Sequence, residues 1–155
     1  AAMAREYGSE PGDLIAAIGP SISADNYRVG PEVGAQFEAV FADAGGILAI
    51  EVREAHCNGR GFAHGGMIAA LSDNTMGMSL VLKAREKFGN DKLSAVTLSM
   101  TTDYVDSAQI GDWLEFRANV LKVGRSIGFT EMKVAAIRDG EERLIARANA
   151  SFKLV

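Results

Sequence analysis

Residues 65–88, GGMIAALSDNTMGMSLVLKAREKF, contain no basic residue before Lys83 and a single acid, Asp73, ahead of it. Read as one helix of about 36 Å at ~1.5 Å per residue, the segment is apolar nearly all round. Met67, Ile68, Ala69, Ala70, Leu71, Met76, Met78, Leu80, Val81 and Leu82 leave it no wet face over its first four turns. Such a helix belongs in an interior and needs other elements around it. The methionines read most simply as core filler.

The chain around it supplies strands. Residues 47–54 read as a strand with Leu48, Ile50 and Val52 on one face. After the helix, residues 93–105 place Val96, Leu98, Met100 and Tyr104 on one side. Residues 113–123 alternate Leu114, Phe116, Ala118 and Val120 with Glu115, Arg117 and Asn119. Residues 126–137 align Thr130, Met132, Val134 and Ala136. Residues 143–154 set Leu144, Ala146, Ala148, Ala150, Phe152 and Leu154 against Arg143, Arg147, Asn149 and Lys153. Period-two alternation with one wet face marks an antiparallel sheet. RDGE at 138–141 carries an Asp-Gly hairpin turn, and KVGRS at 122–126 a second glycine turn. The class is α+β: strand, long helix, then a four-strand meander.

At 155 residues the chain suits one sizeable domain. A net charge of −4 with interspersed signs, and no basic tract, argues against a nucleic-acid partner. Cys57 stands alone, which excludes an internal disulfide and suits a reducing compartment. No apolar run reaches the roughly 18–20 residues that span a bilayer, and no signal-like core opens the chain, so no membrane partner and a cytoplasmic location are expected.

An acid inside an apolar helix costs several kcal/mol unless it is hydrogen-bonded, paired or set at a solvent-filled cleft. Asp73 therefore reads in two ways: as a site carboxylate, or as part of a polar stripe with Ser72, Asn74 and Thr75 at a subunit interface. Just upstream, HCNGRGFAHGG holds both histidines, the cysteine and four glycines. Gly65 and Gly66 fall at the helix start, where free N–H groups and the positive helix end suit a polarised carbonyl or an oxyanion. A flexible loop with a glycine-tolerant helix start would look the same. His56, Cys57 and His64 lack the paired spacing of a structural zinc site, and Cys57 as a nucleophile is the less economical reading of a small thiol. No Gly-Lys-Ser/Thr follows the glycines, so they form no phosphate loop. Lys122 and Arg125 could face phosphates or simply form a charged hairpin.

The pattern N-x-x-G-x-x-H-G-G-x-x-x-x-L-x-D, here Asn58, Gly61, His64, Gly65, Gly66, Leu71 and Asp73, resembles the acyl-CoA thioesterase branch of the hotdog-fold superfamily. The resemblance runs from about Val40 to Val155 and includes Gly111–Asp112. It implies a hotdog fold, an antiparallel sheet of five or six strands around one long central helix, over 42–155. It also implies hydrolysis of an acyl-CoA thioester to a free acid and coenzyme A without a cofactor or metal. Asp73 would be the base or nucleophile, and the Gly65 N–H would polarise the carbonyl. His64 would orient the loop, Asn58 would hold water or substrate, and Thr97 would supply the hydroxyl that the family carries as Ser. Gly66, Lys122, Gly124, Arg125 and Ser126 would contact coenzyme A. The resemblance further implies a catalytic homodimer, expected to pair into a dimer of dimers. A non-catalytic acyl-CoA binder and a hotdog hydratase or dehydratase are the alternatives.

Residues 1–41 differ in character. LIAAIGPSISADNYRVGPEVGAQFEAVF offers a short strand, Leu14 to Ile18, and a helix from Pro31 to Phe41. The wording is similar to a stretch of the laccase-domain polyphenol oxidoreductase family, whose metal-binding His and Cys lie outside it. A fragment this short cannot hold its own core. It is expected to be an appendage packed on the main domain and without oxidoreductase activity.

Overall fold

The computed structural model describes residues 47–155. The strand and helix expected within 1–41 lie outside these residues. Five strands and one helix follow in the order β1 (Ile47–Glu51), α1 (Gly65–Phe88), β2 (Ala95–Tyr104), β3 (Trp113–Val123), β4 (Ile127–Arg138) and β5 (Glu141–Leu154), with a short 3-10 turn at Glu54–His56. The strands form one antiparallel sheet in the order β1-β3-β4-β5-β2. Strands β3, β4 and β5 are joined by tight hairpins and lie adjacent. Strand β2 crosses to the far edge beside β5, and β1 closes the other edge on β3.

Helix α1 lies on the inner face. Ile68, Leu71, Ser72, Thr75, Met76, Ser79, Leu80 and Ala84 form its buried stripe, at the i, i+3, i+4 spacing of one helical face. They meet Leu114, Phe116, Met132, Val134, Ala148 and Phe152 from the sheet. Two hydroxyls in this stripe are satisfied within the helix: Thr75 Oγ1 donates to the Leu71 carbonyl at 2.7 Å and Ser79 Oγ to the Thr75 carbonyl at 2.8 Å. The sheet wraps one long helix as expected, and it does so from one side. The sheet covers one face, and Ala69, Ala70, Asp73, Asn74, Gly77, Met78, Val81 and Leu82 remain only half-buried. The polar run is divided as well: Ser72 and Thr75 turn inward, Asp73 and Asn74 aside.

Gly128 on β4 sets how closely helix and sheet approach. A Cβ there would collide with the Leu80 side chain, so only hydrogen fits. Gly77 makes the reciprocal contact, with the Phe152 ring 3.2 Å from where a Cβ would stand.

Bulges account for the places where alternation misleads. The β2–β5 register shifts between Thr97 and Ser99, so side chains before and after Leu98 change faces. Val96 and Leu98 are therefore exposed, at 55% and 53%, and do not share a face with Met100 and Tyr104. A second shift between Val134 and Ala135 reverses the start of β5: Leu144 is 41% exposed and Ile145 is buried. The other three alternations, Leu48-Ile50-Val52, Leu114-Phe116-Ala118-Val120 and Thr130-Met132-Val134-Ala136, hold as read. At the β4–β5 turn, Asp139 (φ 52°) and Gly140 (φ 80°) both take the left-handed conformation of a two-residue type I′ hairpin.

The Gly111–Asp112 pair has a structural use. Asp112 is fully buried and accepts from Arg138 Nε at 2.5 Å, Arg143 at 3.3 Å and the Gln109 N–H at 2.8 Å. It fastens the β4–β5 hairpin to the entrance of β3. On the outer face, Arg117 grips Glu115 and Glu142 together, and its hydrogen bonds hold the Glu142 carboxyl below its ordinary range. None of the helices among the described residues is long and apolar enough to cross a membrane.

Substituting Gly128→Ala should lower stability by about 1–3 kcal/mol, the usual cost of inserting a methyl into a packed interior. Urea denaturation checks this, and an unchanged midpoint would show that the helix can move off the sheet freely.

Candidate active site

The loop between β1 and α1 is held by its own polar groups. Asn58 Oδ1 accepts from the Arg60 N–H at 2.9 Å and the Phe62 N–H at 3.4 Å, and the Asn58 backbone exchanges bonds with Phe62 and Gly61. This curls the chain through Gly61 (φ 78°). Oδ1 is thus spent on the loop, and only the Asn58 amide Nδ2 remains for a ligand. His64 caps the helix. Its Nδ1 accepts from the Gly66 N–H at 2.9 Å, so the neutral ring carries its proton on Nε2. Among the described residues the Gly65 N–H has no such acceptor, and it points out from the positive end of α1.

The other candidates near this loop are committed locally. His56 Nδ1 accepts from the Arg53 N–H at 3.1 Å, and the Cys57 thiol donates to the Arg53 carbonyl at 3.4 Å. Among the described residues no group of His, Cys, Asp or Glu side chains is arranged to hold a metal ion.

Asp73 lies in the third turn of the helix, half-buried on its uncovered flank. Thr97 on β2 donates its hydroxyl to Asp73 Oδ1 at 2.8 Å. The Thr97 hydroxyl faces the helix because it precedes the β2 bulge. Asp73 Oδ2 has no partner among the described residues, so one carboxylate oxygen is anchored and the other open.

The structure does not bring Asp73 and the Gly65 N–H together within one chain. Eight residues separate them on a straight helix, about 12 Å along its axis. The candidates at 122–126 are farther still. Lys87, at the last turn of α1, donates to the Val123 carbonyl at 2.7 Å, which ties this hairpin to the helix C-terminus, about 21 Å beyond Asp73 at ~1.5 Å per residue. Here Lys122 and Arg125 are exposed. Gly124 is needed because a Cβ would stand 2.5 Å from the Ile127 carbonyl. The candidates thus occupy three levels along one helix.

A hollow of about 460 Å³, lined by Arg117, Asn119, Glu131, Lys133, Arg147 and Asn149, lies away from all three levels. Two of its cations are already paired, Arg117 with Glu115 and Glu142, and Arg147 with Asp103. The sequence reading placed Tyr104 only on one side of β2 with Val96, Leu98 and Met100. Its hydroxyl donates to the Gly65 carbonyl at 2.7 Å, and its ring lies over Gly65. Only its place at the end of β2, beside a glycine helix start, hinted at this.

Comparison with known proteins bears on the fold that carries these groups. Residues 60–144 match the thioesterase superfamily, and residues 1–70 match the multi-copper polyphenol oxidoreductase laccase family, a match running well past 1–41. A Pseudomonas aeruginosa protein named as an esterase is 34% identical over 108 residues, 70% of this chain and 74% of that one. Human acyl-coenzyme A thioesterase 13 is 33% identical over 101 residues, 65% of this chain and 66% of that one. A Caenorhabditis elegans relative, also named as an esterase, is matched over 53% of its length. Among solved structures, a Streptococcus mutans protein bound to acetyl-CoA superposes with a TM-score of 0.59 at 26% identity, covering 70% of this chain and 79% of that one. Zebrafish thioesterase superfamily member 2 gives 0.59 at 28% identity, covering 70% and 73%. The hotdog architecture expected from the sequence is the one these neighbours share.

Because His64 acts as an N-cap, His64→Ala should cost about 1 kcal/mol of stability, and His64→Asn, which can cap in the same way, much less. Urea midpoints of the two variants check the assignment, and equal losses would contradict it.

Proposed function

Because the chain belongs to the thioesterase superfamily, we propose that it hydrolyses an acyl-CoA thioester to a free carboxylic acid and coenzyme A, at a site shared between two copies of the chain. The observation that carries this reading is the Thr97–Asp73 pair, a carboxylate with one oxygen anchored and one open on the uncovered flank of a helix. In the proposed reaction Asp73 Oδ2 takes the proton of an attacking water, or attacks the carbonyl itself and is released by water. The Gly65 N–H and the helix end stabilise the oxyanion, and the coenzyme A thiolate leaves and is protonated. The names of the human and S. mutans proteins support the substrate class.

The two-chain site follows from distance. A donor about 12 Å from Asp73 on its own helix cannot touch the same carbonyl, so the Gly65 N–H must come from a partner. Strand β2 offers the junction: nine of its ten residues pair with β5, and among the described residues no strand pairs with its other edge. Antiparallel pairing of two β2 edges would set the two helices side by side and antiparallel. With the two-fold axis near Ala69, the partner's helix start would then come level with this chain's Asp73. The small Ala69, Ala70 and Gly77 on the uncovered flank leave room for that approach. In such a dimer the 122–126 hairpin stands about 21 Å from Asp73 along the helix, a span suited to an extended pantetheine arm. Lys122 and Arg125 then meet the phosphates, with Ser126 and the backbone at Gly124 and Gly66 beside the ligand. Asn58 supplies its Nδ2 to water or substrate, and the dimers pair again into a tetramer. Every group in this scheme lies within 47–155, and residues 1–41 are an appendage to the domain rather than part of its site. A hydratase reading is weaker, because His64 Nδ1 is already used at the helix cap.

Coenzyme A release, followed by free-thiol detection over a panel of acyl-CoA substrates, tests the activity. Asp73→Asn should lower kcat by about 100-fold or more with the fold intact. Thr97→Val should lower it by roughly 10- to 100-fold, since hydrogen bonds to charged groups contribute about 1.5–3 kcal/mol, while Thr97→Ser retains activity. Wild-type turnover by purified Asp73→Asn protein would defeat the assignment.

Mixing inactive Asp73→Asn and Asn58→Ala protomers tests the shared site. A heterodimer regains one intact site of its two, so activity should return in part; complete sites within single chains would give no rescue.

A further inference from the structure

We propose that Tyr104 is a positioning residue for the oxyanion donor, clamping Gly65 from strand β2. The proposal rests on the thioesterase reading above and adds to it a residue outside the motif. Tyr104 ends β2, paired with Ala146, and lies beyond the bulge at Leu98, on the side that faces the helix. Its hydroxyl donates to the Gly65 carbonyl at 2.7 Å. Its ring lies so close that a Cβ on Gly65 would stand 3.2 Å from two ring carbons. A side chain at 65 would therefore need the Tyr104 ring to give way by a few tenths of an ångström.

The two contacts bracket the functional N–H. The ring rests against Gly65 at the Cα that follows this N–H, and the hydrogen bond fixes the next peptide through its carbonyl. His64 Nδ1 holds that same peptide by its other end, the Gly66 N–H, at 2.9 Å. The Gly65 N–H itself belongs to the 64–65 peptide, whose carbonyl accepts from the Met67 N–H at 3.0 Å and the Ile68 N–H at 3.1 Å. With the adjoining 65–66 peptide also held at both ends, the rotation about Gly65 between the two is restricted and the N–H has a fixed direction before any ligand arrives. This matters because an oxyanion donor is effective only when it is already aimed at the position where charge develops. The Tyr104 proton is committed to a backbone carbonyl, so Tyr104 acts through Gly65 and does not touch the substrate. Strand β2 then holds both halves of the chemistry, Asp73 through Thr97 and the helix start through Tyr104.

The test compares wild type, Tyr104→Phe and Gly65→Ala, and also Tyr104→Phe combined with Gly65→Ala, in the full chain. Tyr104→Phe keeps the ring and is half-exposed, so melting should be unchanged. Coenzyme A release should show kcat lower by about tenfold with KM unchanged, the sign of an interaction that matters only in the transition state. The Gly65 and Gly66 amide resonances should shift in the ¹H–¹⁵N spectrum. In the Gly65→Ala background, Tyr104→Phe should cost less than it does in the wild type, because a methyl at 65 already crowds the ring. Wild-type turnover with an undiminished kcat in Tyr104→Phe would overturn the proposal and leave the thioesterase reading standing. A kcat loss matched by a lower melting temperature would also overturn it, by assigning Tyr104 to packing. Absence of thioester cleavage by the wild-type protein would sink both readings, an outcome the wild-type control separates from the others.

Discussion

The close seat of helix α1 on the sheet is the constraint on which the rest depends. Gly128 lets Leu80 reach the β4 backbone, and Gly77 receives the edge of Phe152. A small gap on either side would forfeit dispersion contacts along the whole buried stripe. The seat also fixes the helix in rotation. Once Ile68, Leu71, Met76 and Leu80 are turned inward, Asp73 must project sideways toward β2, where Thr97 receives it. A rotation of one residue would carry the acid into the core or into open water. The packing that stabilises the domain is thus the packing that presents its carboxylate.

The same helix works as a ruler. A rise of about 1.5 Å per residue separates its glycine start, its acid and its C-terminal hairpin into three levels that no side-chain rotation can merge. On the proposed reading, a single chain therefore carries the parts of a reaction site without assembling them. In the proposed dimer, antiparallel helices exchange levels, so that one chain's donor stands beside the other's acid. Among the described residues, the flank of α1 that the sheet leaves uncovered and the edge of β2 that no strand pairs are the surfaces the proposed dimer would join.

Strand β2 has a double duty that follows from its bulge. Before Leu98 its side chains follow one parity and Thr97 reaches the helix; after it the parity reverses and Tyr104 reaches the helix start. A regular strand could present only one of the two to α1, since seven residues apart they would fall on opposite faces. The bulge thus lets one strand hold both ends of the first helical turns. Elsewhere the polar ties are structural: Asp112 between Arg138 and Arg143 holds a hairpin, and Arg117 between Glu115 and Glu142 braces the outer face.

The resemblance to a known family grouped Asn58, His64, Gly65 and Asp73 into one motif; local pattern in the sequence determined the element order, the helix at 65–88 and the hairpin turn at Asp139–Gly140. These depend on periodicity and on backbone preferences that act within a few residues, so they are legible without a partner surface. Only the tertiary structure decided which way Thr97 points, that Leu144 faces out while Ile145 faces in, and that Tyr104 closes on Gly65. Each depends on a bulge, and a bulge inserts one unpaired residue whose place is set by the neighbouring strand rather than by its own sequence. The half-covered helix was hidden for the same reason. Apolar residues all round say that every face must be buried, but only the assembled sheet shows which face it buries and which it leaves for another surface.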